Sequence, residues 1–487
     1  MTRTHSPGVA AAASAGVWSA ADLLFRQGAQ FGIAVVLARL LTPQDFGVIA
    51  LMGFFVTLVT VLVQNGFVTG LIQRPNTSLQ EQSGIFWLNM GLSIVLALVV
   101  VAAAPAVSRF YAQPVLAPLL GLSAGLIVIS ALGAVHGALL NRDLAFRRLL
   151  IVGAAATLAS GAVGIALAAH GYGAWALGGM MLASSTIQTA GLWLACRWRP
   201  VAVLHVRALG QLLRFGSWIS LSGALDVLYS QGFSLLIGKI YGVSEVGLFN
   251  RAASTQQLPT SVLSAVASRV VLPVFSARAD DPAAVRRGAA MAIGFIMLIN
   301  LPAMLGLALC APLVLEVLFG RQWIGAAPLL SILALGGILF PLHVMNLQII
   351  LAQGRSDIFF RLEIAKKVVG VICLAVGSFF GLEGLAWAQV VTSVLALGIN
   401  TYPVGRMIGY SCARQLLDLK GLAVPAAVML LVVGFLGNAL PWSPILKLAA
   451  MIIAGALVYG LVGLLTRLRL FDEARSITLM LTRRGPA

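Results

Sequence analysis

The feature that most constrains this chain is a series of fourteen long apolar segments separated by short polar breaks. A helix needs about 20 predominantly apolar residues to cross the hydrocarbon core of a bilayer. The segments are continuous and too long for the alternating strands, about ten residues each, of a membrane barrel. We therefore predict an all-α polytopic membrane protein with 14 transmembrane helices. They lie at approximately 15–38, 46–71, 84–104, 116–139, 149–169, 174–196, 215–238, 248–273, 289–310, 326–351, 363–380, 384–405, 421–440 and 446–466.

The charge content excludes a soluble enzyme, and the placement of the charges gives an orientation. Charged residues make up 10% of the chain, whereas soluble domains carry about 25%. The N-terminus, every second connection and the C-terminal tail hold 25 of the 32 Lys and Arg residues. Because cytoplasmic connections are the basic ones, we predict that both termini lie in the cytoplasm. The net charge of +17 therefore marks a membrane face, and no nucleic-acid partner is expected.

The N-terminus and the cysteines carry no processing or redox signal. Asp22, Arg26 and Gln27 interrupt the apolar region that a signal peptide requires, so we predict an uncleaved first span. The four cysteines are far apart and form no CxxC pair, and we interpret them as small apolar residues. They are Cys196, Cys310, Cys373 and Cys412.

Two parts of the sequence match each other at an offset of 200 residues. Residues 38–50 (ARLLTPQDFGVIA) align without a gap with residues 238–250 (GKIYGVSEVGLFN), and residues 139–148 resemble 352–361. Parallel repeats are one of the two common transporter architectures, with the substrate site at the repeat interface. We predict two six-helix lobes around a central cavity, with two helices appended. The predicted parts are an N-terminal lobe (1–205), a C-terminal lobe (206–410) and helices 13 and 14 with a cytoplasmic tail (411–487).

Four charged residues stand out among those inside predicted spans, since a charge at the centre of a spanning helix costs about 2.5–3.5 kcal/mol on insertion scales. In span 1, Asp22, Arg26 and Gln30 recur every four residues and share one helical stripe. Span 7 places Asp226 where the repeat has Arg26, so these two could pair across the cavity, and Arg251 opens span 8. We expect these residues at the cavity. Two alternatives stay open: a local Asp22–Arg26 ion pair, and an Arg251 side chain that snorkels to the interface.

No motif indicates an enzyme, a metal site or a bound cofactor. The segment GFSLLIGKI (232–240) has one residue too many between its glycines for a phosphate loop, and Ile240 replaces the required Ser or Thr. Transport would therefore be driven by an ion gradient, by the substrate's own gradient or by a partner, and the choice between a coupling proton and sodium stays open. His136 and His343 could relay protons, although hydrogen-bonded packing is the commoner role of a helix histidine.

Several segments together resemble the polysaccharide (Wzx-type) flippases, in particular the colanic-acid-exporter-like branch of the multidrug/oligosaccharidyl-lipid/polysaccharide exporter superfamily. The resemblance covers nearly the whole chain. Its segments include ARLLTPQDFGVIAL, QNGFVTGLIQRPN, GIFWLNMGLSIV, HGALLNRDLAFRRL, VGLFNRAASTQQLPTSVLSAVASRVVLPVFS and GLEGLAWA.

The resemblance implies alternating access in the bacterial inner membrane. The implied substrate is an undecaprenyl-diphosphate-linked oligosaccharide repeat unit, which moves from the cytoplasmic to the periplasmic leaflet for exopolysaccharide, capsule or O-antigen assembly. A polysaccharide polymerase and glycosyltransferases are the implied partners. Because arginine binds phosphate bidentately, we predict Arg26 and Arg251 as anion contacts. Asp22, Asp226 and Gln30 are predicted as cavity or gating residues.

Two other functions remain as alternatives. A multidrug exporter of the same superfamily would favour acidic groups in its cavity, whereas the four charges here divide equally between acids and bases. A membrane glycan polymerase or ligase usually carries a sizeable external loop. The longest such connection predicted here is about 311–325.

Overall fold

The computed structural model describes residues 9–65, 71, 77–201, 206–276 and 281–466, and these residues form helices and turns without a strand. The chain divides into two compact units, Met1–Gly247 and Leu248–Ala487. The lobe boundaries predicted from the repeat rest on different grounds and stay a prediction.

The first unit contains seven described helices and the first turn of an eighth. A π-helical turn, Val61–Asn65, continues the second helix. The helices are α1 (Val9–Leu40), α2 (Pro43–Thr60), α3 (Leu79–Phe110), α4 (Leu116–Arg142), α5 (Phe146–Ala169), α6 (Ala174–Ala195), α7 (Val206–Ile240) and the start of α8 (Val243–Ser276).

The second unit continues α8 and adds eight described helices. Three short 3-10 segments join some of them, Arg321–Ala326, Ser378–Phe380 and Lys420–Leu422. The helices are α9 (Pro282–Phe319), α10 (Ala327–Gly337), α11 (Phe340–Ala352), α12 (Ser356–Gly377), α13 (Gly381–Ile408), α14 (Cys412–Leu419), α15 (Ala423–Ala439) and α16 (Pro444–Leu465).

The helical prediction is confirmed, and each of the fourteen predicted segments overlaps a helix. Within the described residues, nine helical stretches are long and apolar enough to cross a membrane. Their surfaces expose large apolar side chains, such as Leu431 and Leu465 at 75% and 73% exposure. Surfaces of this kind are solvated by lipid and not by water. The chain is a multi-pass membrane protein, while the number of fourteen crossings and the repeat architecture stay predictions.

Most helices extend beyond the predicted segments, and two further differences concern the ninth and tenth segments. The tenth segment is not one helix, because Ile338 and Leu339 interrupt it between α10 and α11. Pro341 lies in the first turn of α11, where its missing N–H is tolerated. The connection expected at 311–325 is helical over most of its length, and its external position stays a prediction. Helix α9 extends to Phe319, and a 3-10 segment begins at Arg321.

The turn between α1 and α2 shows why the repeated motif begins a helix. The Asp45 backbone N–H donates to the Thr42 hydroxyl at 3.3 Å, and the Thr42 N–H donates to the Asp45 carboxylate at 2.9 Å. This reciprocal capping box satisfies two N–H groups that the helix end would leave unpaired. Pro43 occupies the first turn, where proline is pre-organised for a helix.

Each unit has its own apolar cores. In the first unit, α1, α5 and α6 pack around Leu37, Ala168 and Leu177. In the second unit, one core joins α9, α11, α13 and α14, and another joins α9, α15 and α16. The appended helices α15 and α16 are therefore anchored on α9.

Candidate functional site

The first unit contains a cavity of about 700 Å³ bounded by α1, α2, α4, α5 and α6. Among the described residues that line it, none is charged, but nine carry a hydroxyl or an amide. Polar groups on otherwise apolar membrane helices indicate a path or a site for a polar molecule. The polar lining residues are Gln30, Thr60, Ser130, Thr157, Ser160, Ser184, Ser185, Gln188 and Thr189.

Some hydroxyl groups of this cavity are oriented by backbone carbonyls. Ser130 donates to Ile127 at 2.9 Å, and Thr189 donates across helices to the Ile129 carbonyl at 3.0 Å. A hydroxyl that donates to the backbone keeps its oxygen lone pairs as acceptors. The Ser185 hydroxyl is buried and has no hydrogen-bond partner within the described part of the chain. The cavity thus offers neutral donors and acceptors of the kind that sugar hydroxyls can pair with.

Arg26 lies one helical turn before Gln30, against α5. Its Nη2 donates to the Leu149 carbonyl at 3.1 Å. A Cβ built on Gly153 would come within 2.1 Å of the Arg26 Cζ. The absent side chain of Gly153 is therefore what lets the guanidinium lie on α5. Gln30, predicted as a cavity residue from the same stripe, lines the cavity.

Of the two predicted acidic residues, Asp226 has a described side chain and Asp22 does not. Asp22 lies on α1, but its side chain is outside the described residues, so its ion pair with Arg26 stays a prediction. Asp226 lies on α7 with an exposed side chain, as do Ser222 and Ser230 of the same stripe. Pairing of Arg26 with Asp226 also stays a prediction.

Arg251 is buried in the second unit against two aromatic rings. Its side chain is 9% exposed, and its Cζ lies 4.7 Å from the Phe319 ring centroid and 4.9 Å from that of Trp323. Faces of aromatic rings attract a guanidinium electrostatically. This burial argues against the snorkelling alternative. The sequence did not indicate Phe319 or Trp323, because both rings lie about 70 residues away from Arg251 along the chain.

The two matched segments of the repeat contact each other within the first unit. A Cβ built on Gly47 would lie 1.8 Å from the Val243 carbonyl oxygen, and one built on Gly247 would lie 1.9 Å from that of Pro43. Residues 43 and 243, like 47 and 247, are equivalent at the offset of 200. The first turns of α2 and α8 thus cross reciprocally at a distance that only glycine permits. We call this contact the glycine crossing.

Groups at the end of α3 contact α7, the helix that precedes the second half of the glycine crossing. The Lys239 Nζ donates to the Phe110 carbonyl at 2.9 Å and lies 4.1 Å from the Phe110 ring centroid. The Tyr111 hydroxyl donates to the Leu235 carbonyl at 3.4 Å. Burial raises the pKa of Tyr111, so this hydroxyl stays a donor.

The second unit contains an apolar groove of about 610 Å³ between α8, α9, α15 and α16. Its lining includes Pro302 and Leu307 of α9 with Met429 and Met451 of the appended helices. Thr255 and Tyr459 are the lining residues with a hydroxyl. No cluster of three His, Cys, Asp or Glu side chains that could hold a metal ion occurs in the part of the chain that the structure describes.

Comparisons with known proteins agree with this architecture. ExoT of Rhizobium meliloti strain 1021, named as a succinoglycan biosynthesis transport protein, is 26% identical over 470 residues, which is 94% of each chain. WzxC of Escherichia coli strain K12, named as a lipopolysaccharide biosynthesis protein, is 25% identical over 411 residues, which is 82% of each chain.

Two solved structures share the fold. The lipid II flippase MurJ in an inward closed conformation has a TM-score of 0.76 at 13% identity, and the match covers 94% of this chain and 99% of that chain. An inward-facing multidrug resistance MATE family transporter has a TM-score of 0.62 at 16% identity, with 79% and 94% covered. At 13% and 16% sequence identity, these two similarities show a shared fold alone.

A family model described as "Polysaccharide biosynthesis protein" matches residues 36–328, which is more than half of the chain. The resemblance drawn from the sequence segments is thereby confirmed at the level of the family. The chain belongs to the polysaccharide biosynthesis protein family.

Proposed function

We propose that this protein is a flippase for an undecaprenyl-diphosphate-linked oligosaccharide repeat unit, which it moves from the cytoplasmic to the periplasmic leaflet of the bacterial inner membrane. The observation that carries the proposal is the presence of two volumes of different chemical character in one chain, each within its own unit. One unit has a cavity lined by neutral hydroxyl and amide groups, and the other has an almost wholly apolar groove. A lipid-linked oligosaccharide has both characters in one molecule.

The polar cavity suits the sugar part. An oligosaccharide cannot cross hydrocarbon bare, because each unsatisfied polar group there costs several kcal/mol. The hydroxyls of Ser130, Ser160 and Thr189 are held by the backbone, so they are positioned before a substrate arrives. Pre-organised partners reduce the entropic cost of binding.

The apolar groove suits the polyprenyl chain, and the arginines suit the diphosphate. Met429 and Met451 line the groove, and methionine adapts to irregular apolar ligands. Arg26 lies beside the polar cavity on α1, where a guanidinium can pair bidentately with phosphate oxygens. Arg251 is the second proposed anion contact, and it would have to leave the Phe319 and Trp323 rings to reach a phosphate. Asp22 and Asp226 would hold or release these arginines as the protein alternates between its two states.

The multidrug alternative is weakened by the cavity lining. Cationic drugs favour acidic groups, and none of the described residues lining the polar cavity is acidic. The relatives named for succinoglycan transport and lipopolysaccharide biosynthesis also support the glycan substrate class.

The proposal is tested first in cells. Deletion of the gene should cause the undecaprenyl-linked intermediate to accumulate on the cytoplasmic side, with loss of the exported glycan. Normal glycan together with increased sensitivity to cationic drugs would replace the flippase by a multidrug exporter. Loss of polymer length with normal translocation of single repeat units would favour a polymerase or ligase.

The second test uses the full chain in proteoliposomes with a fluorescent polyprenyl-diphosphate oligosaccharide as the probe. Arg26→Ala should slow translocation about tenfold or more, because a hydrogen bond to a charged group contributes about 1.5–3 kcal/mol. Arg109→Ala is the matched control, since Arg109 is exposed and also donates to a backbone carbonyl, that of Pro105 at 3.2 Å. Equal rates for both variants would remove Arg26 from the site.

A further inference from the structure

The interruption between α10 and α11 gathers polar side chains near the middle of an apolar stretch. The Asn300 side-chain amide donates to the carbonyls of Gly337 and Ile338 at 3.1 and 3.2 Å. The Ser393 hydroxyl lies 3.4 Å from the Gly336 carbonyl. The Gly337 and Ile338 carbonyls have no helical N–H partner among the described residues where α10 ends, and the Asn300 side chain satisfies them. The Gly336 carbonyl, in contrast, also accepts from the Leu339 N–H at 3.3 Å.

His343, in the first turn of α11, is connected to the same end of α10. Its Nε2 lies 2.9 Å from the Ser393 Oγ, and its Nδ1 lies 3.2 Å from the Asn400 Nδ2. Because an amide nitrogen can only donate, Nδ1 accepts and Nε2 carries the hydrogen. A directed chain then runs from the Nε2–H to the Ser393 oxygen, and from the Ser393 O–H to the Gly336 carbonyl. Both nitrogens of the neutral ring are satisfied.

The protonated ring can be satisfied by one local rearrangement. An imidazolium needs an acceptor at Nδ1, where the neutral ring faces a donor. The Asn400 Oδ1 is buried and has no hydrogen-bond partner within the described residues. Rotation of this amide by half a turn brings Oδ1 to Nδ1 and leaves the chain through Ser393 intact. The carbonyl end of α10 also favours a cation nearby.

Among the described residues, the charged groups near His343 lie on α12. They are Lys366 and its salt-bridge partner Glu363. The groups that face the ring from α13 are the neutral side chains of Ser393 and Asn400. A proton on His343 therefore adds a third charge beside the Lys366–Glu363 pair at the α11–α12 contact.

We propose that His343 is the binding site of a coupling proton, with Asn400 as the acceptor that switches when the proton arrives. The inference rests on the proposed transport function for its coupling part, but not for proton binding itself. Protonation rotates the Asn400 amide and adds a charge beside the Lys366–Glu363 pair, and the interruption at Ile338 and Leu339 gives α11 a place to move relative to α10. Proton binding is thereby connected to the position of a helix in the second unit.

Proton binding can be measured without any substrate. Ring-labelled histidine NMR of the full chain should show a resonance that moves between about pH 4 and pH 8, the range in which His titrates in proteins, and His343→Gln should remove it. Asn400→Asp should move this transition upward by about 1–3 pH units, because an adjacent carboxylate favours the cation. Asn400→Leu should move it downward, because the imidazolium then lacks its acceptor.

His136→Gln is the matched control. His136 is a fully buried histidine of the first unit, stacked on Trp193 at 4.5 Å, and its replacement should leave the His343 transition unchanged. A His343 ring that stays in one protonation state across the range, or a transition that neither Asn400 variant moves, would overturn the proposal.

Coupling is tested in proteoliposomes with the fluorescent polyprenyl-diphosphate oligosaccharide and an imposed pH gradient. The gradient should accelerate translocation by the wild type and by His136→Gln, but not by His343→Gln. Full gradient response in His343→Gln would overturn the coupling. If the wild type moves no probe while the His343 resonance still titrates, the proton site stands and the proposed transport function is what fails.

Discussion

The glycine crossing makes a quantitative prediction about two alanine substitutions. A Cβ on Gly47 would lie 1.8 Å from the Val243 oxygen, and ordinary contact begins at 3.4 Å, so the backbones must separate by at least 1.6 Å. The obstruction is a carbonyl that belongs to a helix and cannot turn aside as a side chain would. Overpacking costs about 1–3 kcal/mol, and alanine recovers about 1 kcal/mol of helix propensity. Because the obstruction is backbone, we expect a net loss of about 2 kcal/mol for Gly47→Ala.

Gly53→Ala is the matched control on the same helix. No heavy atom of the described residues lies within 4 Å of its built Cβ, so this variant should gain up to about 1 kcal/mol from propensity alone. The two alanine variants of α2 should then differ by about 3 kcal/mol. For a unit of 247 residues, each kcal/mol moves the apparent unfolding temperature by about 2–4 °C.

Because Gly47 and Gly247 contact each other's helix reciprocally, the structure also predicts how the two alanine substitutions combine. Once Gly47→Ala has separated the two turns, a Cβ on Gly247 meets less obstruction, so the two losses should not add. We expect the double variant to lose about 1 kcal/mol less than the sum of the single variants, as residues in direct contact do.

The change in stability of the first unit can be measured as the temperature at which a buried cysteine of that unit becomes exposed. Cys196 is buried in the first unit, and replacing the other three cysteines by serine leaves it as the only thiol for a fluorogenic dye. Gly47→Ala should expose Cys196 at a lower temperature than the parent, and Gly53→Ala at the same or a higher one. Equal unfolding of the two variants, or strict additivity of Gly47→Ala with Gly247→Ala, would refute the close crossing.

Three further predictions concern the arginines and the orientation. Gly153→Ala should weaken binding of the lipid-linked oligosaccharide without lowering the unfolding temperature, because only the mobile end of Arg26 must move; unchanged affinity would contradict the proposed positioning. Trp323→Leu should destabilise the second unit by about 3 kcal/mol or more, since a buried ring and a cation–π contact are lost. Trp323→Phe should lose clearly less stability when unfolding is followed by the exposure of the buried Cys310 as the single thiol. Equal losses of stability in the two variants would show that the ring face does not matter. Single cysteines introduced at Pro114 and Ser443 should react with membrane-impermeant thiol reagents added from outside, whereas cysteines at Asp143 and Ser356 should not. The reverse labelling pattern would invert the predicted topology.

The helices could be predicted from the sequence because apolar runs of this length have one stable form in lipid. The start of α2 also had a local signal that the apolar run alone does not use, since Thr42, Pro43 and Asp45 form a standard N-terminal pattern. The interruption of the tenth segment could not be predicted, because membrane helices tolerate Gly and Pro and hydropathy does not register a break. Gly336, Gly337 and Pro341 were the available signal.

The candidate site could be predicted only where it depends on spacing within one helix. The stripe that Gln30 shares with Arg26 predicts it at a central cavity between the lobes; Gln30 lines a cavity within the first unit, and its role in binding or gating stays a prediction. The partners of Arg26 and Arg251 lie far away in the sequence, and nothing in the local pattern pairs Arg26 with Gly153 or Arg251 with Trp323. Contacts of this kind are decided by how helices pack.

The way in which the two arginines are held bears on how a diphosphate could be bound and released. Arg26 donates to the Leu149 carbonyl, and Arg251 lies on the Phe319 and Trp323 rings. These contacts, which are among those that each guanidinium makes, are with neutral groups, and they help to orient the two arginines. A neutral contact is also easier to exchange for a phosphate than a buried ion pair, whose separation leaves an uncompensated charge and costs about 3–5 kcal/mol. A transporter must let its substrate go as readily as it binds it, and weak neutral contacts that compete with the phosphate favour release. Replacing Leu149 and Gly153 by groups that bind Arg26 more strongly should therefore slow transport even where the arginine itself is retained.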